Sequence, residues 1–374
     1  MEFDSPRASP VSFSEDLVAD ERVPFTEFAT CRPRDLCYHL PVAVSSPLRM
    51  SACGSCKAKN WLPADLPPLE PSPCSKCGHP VIVPAVIRNF EVREVVASGG
   101  MGTVYRAFDT GLERMVAIKM LKREMAQDKQ VMESFYREAR ATASLNHTNI
   151  IHIYSFDEFE RSPYIVMELA DHGSLDSWIM ADGMVPELNV LDIGIKVASA
   201  LESALQHNLL HRDIKPGNIL FNEYGEPKLV DFGLARSAEN DGEYETAIWG
   251  TPYYVAPEKI QREGEDFHSD MYSLGGTLYH ALTGHVPFEA ETVEQVVAGH
   301  VHTPLTPPHV VRPDVSSGTS DAIQIAMAKH PSQRYATYGD LTMALTAARS
   351  QLLLEDLKHQ QREERGHGRS WWRR

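Results

Sequence analysis

Hydrophobic and polar positions follow two different periods along this chain, with the changeover near residue 170. From Phe90, "NFEVREVVAS", "GTVYRAFD" and "ERMVAIKML" read as three short β-rich runs separated by turn residues. In "QVMESFYREARATASL", Val131, Phe135, Ala139 and Thr142 recur at helical spacing and predict one buried helix face. "NIIHIYSFDEF" and "PYIVMELA" return to strand character. From about Asn189 helices dominate. Ile193, Val197, Leu201 and Leu205 form one apolar stripe, and "SDMYSLGGTLYHALTG" predicts a buried helix with Ser269 as N-cap and Gly284 as its stop. "AIQIAMAKH" and "YGDLTMALTAARSQLLLEDL" predict further helices. Strands first and helices later point to an α+β protein with two lobes. No internal repeat is visible.

Composition narrows the picture. A chain of 374 residues that is 43% hydrophobic can bury a sizeable core, in one large or two to three smaller units. A formal net charge of −15 argues against a general nucleic-acid or anionic-membrane binder. No run of about 18 apolar residues would span a bilayer, and the acidic N-terminus has no apolar core of the kind a signal peptide needs. The simplest reading is a soluble, cytoplasmic protein. Residues 1–50 hold six prolines, and residues 1–30 hold seven acidic and two basic residues, so 1–50 reads as a flexible acidic, Pro-rich arm. The tail at 351–374 is basic towards its end and finishes "SWWRR". A solvated end is the plain reading; Trp371 and Trp372 beside Arg373 and Arg374 would otherwise dock on a partner.

All six cysteines lie in the first 77 residues, which does not suit a disulfide-stapled secreted fold. Cys31 and Cys37 read as free thiols in the arm. Cys53, Cys56, Cys74 and Cys77 form C-x2-C-x17-C-x2-C, the spacing of a four-thiolate zinc ribbon over residues 51–82. Gly54 and Gly78 would allow the tight turns, and Lys57, Lys59 and Lys76 would offset the charge of four thiolates on Zn2+. Redox pairs, or iron held in a rubredoxin-like knuckle, are the competing readings. So short a unit cannot build its own core, so metal would supply its folding energy. His79 reads as solvated. The ribbon is expected to be a separate docking or regulatory module whose loss leaves the rest folded.

Downstream, several elements occur in one order with tight spacings. "SGGMGTV" is followed by "VAIK" with Lys119, then Glu138 on a helix. "HRDIKPGN" carries Asp213 and Asn218, "DFG" carries Asp231, and "APE" ends at Glu258. Here the chain resembles a protein kinase, specifically the eukaryotic-like Ser/Thr kinases of bacteria. The resemblance covers about Phe90 to Ala348, some 70% of the chain. It implies a two-lobed kinase fold at 88–350, with a β-rich N-lobe at 88–168 and a helical C-lobe at 171–350. It implies ATP as phosphoryl donor and Mg2+, or Mn2+ in its place. Glycine-rich residues Ala97, Ser98, Gly99, Gly100, Met101 and Gly102 would approach the triphosphate through their backbone. Lys119 would hold the α/β-phosphates, with Glu138 fixing its direction. Asp231 and Asn218 would bind Mg2+ through hard oxygen donors. Asp213 would take the proton of the incoming hydroxyl, and Lys215 would neutralise charge near the γ-phosphate. Val104, Ala117 and Leu220 match the adenine slot. Glu168 to Ala170 matches the hinge, with Met167 as gatekeeper.

The resemblance also implies structural and regulatory roles. Glu258 and Arg334 match a buried ion pair, and Asp270 the acid that caps the catalytic-loop backbone. Arg212 would receive a phosphorylated activation loop, with Thr246 the autophosphorylation candidate. Thr251 would contact Asp213 and Lys215. Two positions depart from the family pattern. Ala97 replaces the first loop glycine, and Thr148 stands where proline is usual. Expected partners are proteins offering Ser or Thr, with a back-to-back homodimer through the N-lobe as a further option. Nucleic acid is disfavoured. The alternatives to an active kinase are a pseudokinase acting as a nucleotide-sensing scaffold, and a zinc-ribbon adaptor.

Overall fold

The computed structural model describes residues 49–100, 102–232 and 252–358, and the backbone alone at 236–237 and 359–370. Cys31, Cys37, Met101, Thr246, Thr251, Trp371 and Trp372 lie outside the fully described residues. The chain opens with two small antiparallel hairpins, β1 (Arg49–Ala52) with β2 (Lys59–Leu62) and β3 (Ser72–Pro73) with β4 (Pro80–Val81). Then come β5 (Ala85–Ile87), β6 (Phe90–Ser98), β7 (Gly102–Asp109), β8 (Arg114–Leu121), helix α1 (Lys129–Ala143), β9 (Ile153–Phe159) and β10 (Ser162–Met167).

Strands β5 to β10 form one six-stranded sheet in the order β5-β6-β7-β8-β10-β9, antiparallel throughout. Strict alternation in β7 sends Tyr105 and Ala107 inward. They join Val92, Val95, Val116, Ile118, Tyr164 and Val166 in one core. Helix α1 starts at Asp128, whose carboxylate accepts from the N–H groups of Gln130 and Val131. It buries Phe135, Ala139 and Thr142, three of the four residues of the expected stripe.

The remaining elements are α2 (Leu175–Asp182), α3 (Glu187–Gln206), β11 (Leu209–Leu210), β12 (Ile219–Phe221), β13 (Pro227–Leu229), β14 (Arg236–Ser237), α4 (Pro257–Gln261), α5 (Phe267–Thr283), α6 (Val293–His302), α7 (Pro308–Val311), α8 (Ser317–Ala326) and α9 (Tyr338–Ser370). Helix α5 is apolar on most sides and buried accordingly, from Met271 to Leu282. At Gly275 a Cβ would sit 2.7 Å from the Met327 side chain, so close packing there depends on glycine. The α5 N-cap is Asp266, whose side chain accepts from His268 N–H, and not Ser269 as the sequence suggested. The Ser269 hydroxyl instead donates to Glu258, at 2.7 Å. Gly284 ends the helix in the left-handed region, at φ 76°, as expected. No helix among the described residues is long and apolar enough to cross a membrane.

The cysteine segment does not stand apart from the large sheet. Leu69 and Ile82 belong to the same buried core as Val92 and Tyr105. Tyr105 donates its hydroxyl to Leu69 C=O at 2.8 Å. Strand β5 pairs with β6 and carries the chain directly from the hairpins into the sheet. The segment is thus in contact with the sheet through part of its core. Its other buried apolar residues, Leu62, Val81 and Val83, pack with Cys53 and Cys74 in a small cluster of their own. The expectation of a solvated His79 is corrected: it is half-buried, and its Nε2 lies 3.1 Å from Val95 C=O on β6.

Candidate active site and cysteine cluster

The two cysteine pairs sit in matching turns. Cys53 N–H donates to Ala58 C=O and Lys57 N–H to Cys53 C=O, at 2.9 and 3.0 Å. Cys74 N–H donates to His79 C=O and Gly78 N–H to Cys74 C=O, both at 2.9 Å. The left-handed position after each pair is Gly78 at φ 75° and Lys57 at φ 58°. Lys57 thus performs the turn in the first knuckle that the sequence assigned to Gly54, and no residue-type signal marks it. The four sulfurs lie within 4.8 Å of one another. Cys53–Cys77 and Cys56–Cys74 are each 3.7 Å apart. A tetrahedron with metal–sulfur bonds of ~2.3 Å has an edge of ~3.8 Å, so the cluster fits a four-thiolate metal ion. The N–H groups of Lys76 and Cys77 bring the Cys74 thiol down to about 6, despite its burial. Cys56 goes the other way, to about 11: the Ala58 N–H favours its thiolate, but burial and the neighbouring sulfurs outweigh that.

In the larger site, β8 presents Lys119 and α1 presents Glu138. The Lys119 ammonium donates to Glu138 at 2.7 Å and to Asp231 at 2.7 Å. Burial alone would lower the Lys119 pKa, but the two carboxylates outweigh it and raise it. Asp231 feels the opposite balance: burial opposes its charge, and Lys119 still holds it below the usual carboxylate range. Burial raises Glu138, with Lys119 opposing. Asp231 has φ 63°, a left-handed conformation that a non-glycine residue adopts under constraint from its surroundings. Next to it Phe232 is fully buried, its ring 4.6 Å from that of His211.

The loop between β11 and β12 is held from below. Asp270 on α5 accepts from the N–H groups of His211 and Arg212, each at 2.7 Å. Buried His211 lies 3.0 Å from Val230 C=O, and burial lowers its pKa against the opposing pull of Asp270. On the open side, Asp213 accepts from Lys215 at 2.7 Å and from the Asn218 amide at 3.0 Å. Glu258 and Arg334 form a bidentate pair at 2.6 and 2.8 Å. Burial raises the Glu258 pKa, but Arg334 and the Ser269 hydroxyl bring it below the usual range.

In the glycine-rich loop, Gly99 N–H donates to Gly102 C=O at 2.9 Å. A Cβ on Gly102 would lie 2.5 Å from Met120 C=O, so this position requires glycine. Ala97 is exposed and extended in β6, opposite Val104 of β7. Ala117 is buried, and Val104 and Leu220 are half-buried. Met167 ends β10, and Ala170 packs with Ile151 and Val230. Lys228 pairs with Glu168 at 2.6 Å. Arg212 pairs with Glu265, Nε to Oε2, at 3.3 Å, a partner that sequence reasoning missed.

A carboxylate–ammonium–carboxylate triad thus joins strand β8 and helix α1 to Asp231, and one aspartate is held by a lysine and an asparagine in the loop after β11. Residues 90–346 match the model of the protein kinase domain. The chain belongs to the protein kinase family. It is 36% identical over 249 residues to the probable serine/threonine-protein kinase CPE1738 of Clostridium perfringens, covering 66% of this chain and 36% of that one. It is 40% identical over 258 residues to serine/threonine-protein kinase PknK of Mycobacterium tuberculosis, covering 67% and 23%. Against PknA of the same species it is 35% identical over 267 residues, covering 70% and 61%. The chain therefore spans less than two thirds of each relative's length, and about a quarter of PknK.

Proposed function

We propose that this kinase transfers the γ-phosphoryl group of ATP to Ser or Thr hydroxyls of proteins. The observation that carries the reading is the meeting of Lys119, Glu138 and Asp231, together with that of Asp213, Lys215 and Asn218, the two linked where Val230 N–H donates to Asn218 C=O at 3.0 Å. Transfer of a phosphoryl group is chiefly a matter of position and charge. Lys119, aimed by Glu138, is suited to the α/β-phosphates. The backbone of residues 97–102 is suited to cover them, and Val104, Ala117, Met167, Glu168, Ala170 and Leu220 are suited to frame the adenine. Asp231 and Asn218 offer oxygen donors suited to Mg2+, which when bound neutralises charge on the β- and γ-phosphates. Asp213 would orient the incoming hydroxyl and accept its proton, while Lys215 offsets negative charge beside it. At the cysteine cluster, Cys53, Cys56, Cys74 and Cys77 would hold Zn2+, which supplies cohesion and no catalytic step.

The test is incorporation of radiolabelled phosphate by wild type and Asp213→Asn. Loss of a general base predicts at least about a 100-fold fall in rate. Equal labelling of both proteins would refute the catalytic assignment and favour a nucleotide-sensing scaffold.

Activation-loop autophosphorylation is the regulatory part of the reading. A phosphate on Thr246 would bring about −2 charges and compete with Glu265 for Arg212. Thr251 would shape the substrate site beside Asp213. Thr246→Ala is expected to lower activity several-fold and remove phosphate from that loop, as read by a phosphosite map. Unchanged activity and loop phosphate would show that the Arg212–Glu265 pair serves without it.

A further inference from the structure

Hairpin β1–β2 has two unlike faces. Its inner face buries Ser51, Asn60 and Leu62. Asn60 reaches the cysteine cluster, donating to Cys74 Sγ at 3.4 Å and accepting from Ser75 N–H at 2.9 Å. Its outer face carries Met50 directly opposite Trp61, and Ala52 opposite Lys59. Met50 is 52% exposed and Trp61 64% exposed. Single exposed apolar residues are ordinary, but a Trp and a Met side by side on a strand pair anchored to a cysteine cluster form a flat apolar step. The hairpin's own residues are charged unlike the rest of the chain, and the Glu94 carboxylate that lies beside Gly54 is paired with Arg106. Residues 49–62 hold Arg49, Lys57 and Lys59 and no carboxylate, in a protein of net charge −15. Tryptophan is also among the residues that most often dominate an interface.

We propose that the outer face of this hairpin docks an acidic segment of a protein substrate, with an aromatic or long aliphatic residue on the Met50–Trp61 step and a carboxylate beside Lys59. The inference rests on the kinase reading. The hairpin is joined to the sheet that carries Lys119, so a substrate held there would be presented to the cleft at raised effective concentration. Docking would lower KM and leave kcat unchanged.

A phage-displayed library of random 12-residue peptides, selected on the immobilised full chain, supplies the probe. The enriched peptides should combine an aromatic or aliphatic residue with Asp or Glu. Trp61→Ala should weaken their binding about 10-fold or more and Lys59→Glu several-fold, while Asp213→Asn binds them as wild type does. Fused to a generic serine peptide, the enriched sequence should lower KM for wild type but not for Trp61→Ala, and both should handle the unfused peptide equally. Metal content and thermal midpoint of Trp61→Ala, an exposed position, should match wild type. Enriched peptides without the acidic–apolar pattern, or equal binding by Trp61→Ala, would overturn the proposal. So would a Trp61-dependent gel shift of a single-stranded oligonucleotide, or a Trp61-dependent dimer in sedimentation, each of which assigns the face to another occupant. Absence of turnover on the unfused peptide by wild type would instead fault the kinase reading, because the binding arms do not depend on catalysis.

Discussion

The cysteine cluster and the cleft around Lys119 both gather side chains that are distant in sequence, but they are assembled by different means. Each half of the cluster is self-contained: one Cys-x-x-Cys pair, one backbone turn, and the same two hydrogen bonds in both knuckles. Only the 17 residues from Lys57 to Pro73 have to close before all four sulfurs meet. In the cleft, Lys119 and Asp231 are 112 residues apart and come from different lobes, and Asp213 is positioned by Asp270 from a further helix. A local site announces itself through spacing. A composite site depends on the whole domain, and is visible in sequence only as an order of motifs.

The largest effect that would break this contrast concerns the cluster's independence. If the knuckles were self-contained in stability as well as geometry, Cys53→Ser with Cys74→Ser would release metal and leave the kinase lobes intact. Because Leu69 and Ile82 share the core of Val92 and Tyr105, the double variant should instead lower the thermal midpoint of the protein, on the order of 10 °C, along with its metal content. Calorimetry with metal analysis on the same sample checks this. Metal loss at an unchanged midpoint would mean that the shared core holds without the clip.

A smaller effect tests the seam itself. Tyr105 is buried, and its hydroxyl meets Leu69 C=O. Tyr105→Phe keeps the ring and leaves one buried carbonyl without that donor, at a cost of about 1–2 kcal/mol. Denaturant unfolding should show that loss, with metal content unchanged. No change in stability would mean that apolar contact alone joins the two parts.

How far these features were legible in the sequence follows the same division. The CxxC spacing, the α1 stripe through Phe135 and Ala139, and the pairing of Arg334 with Glu258 were readable because each rests on a short pattern or a strongly marked motif. The union of the cysteine segment with the sheet was not. Its carriers are the three residues of β5 and isolated apolar positions such as Leu69 and Ile82, too few to show any period. Lys57 at positive φ was hidden because only the repeat of the Gly78 turn demands it. Asp266 and Ser269 are both good caps, and what separates them is the Glu258 carboxylate, which takes up the Ser269 hydroxyl. The Arg212–Glu265 pair joins two loops 53 positions apart, and no local pattern links them.

The smallest expected effect concerns Ala97, the one position in the nucleotide loop that departs from the family's glycine. In a loop that needed positive φ there, alanine would be strained. Ala97 instead lies in the extended end of β6, paired across to Val104, and it is absent from the left-handed positions that include Asp231 and Arg212. Its methyl group is exposed, so restoring glycine relieves no clash and removes little buried surface. What glycine does add is freedom in the unfolded chain, which costs about 0.5–1 kcal/mol. Ala97→Gly should therefore be slightly less stable than wild type and should change KM for ATP by less than about twofold. A marked fall in KM would show that the methyl group obstructs the triphosphate, and it would restore weight to the reading of this domain as a weakened nucleotide binder.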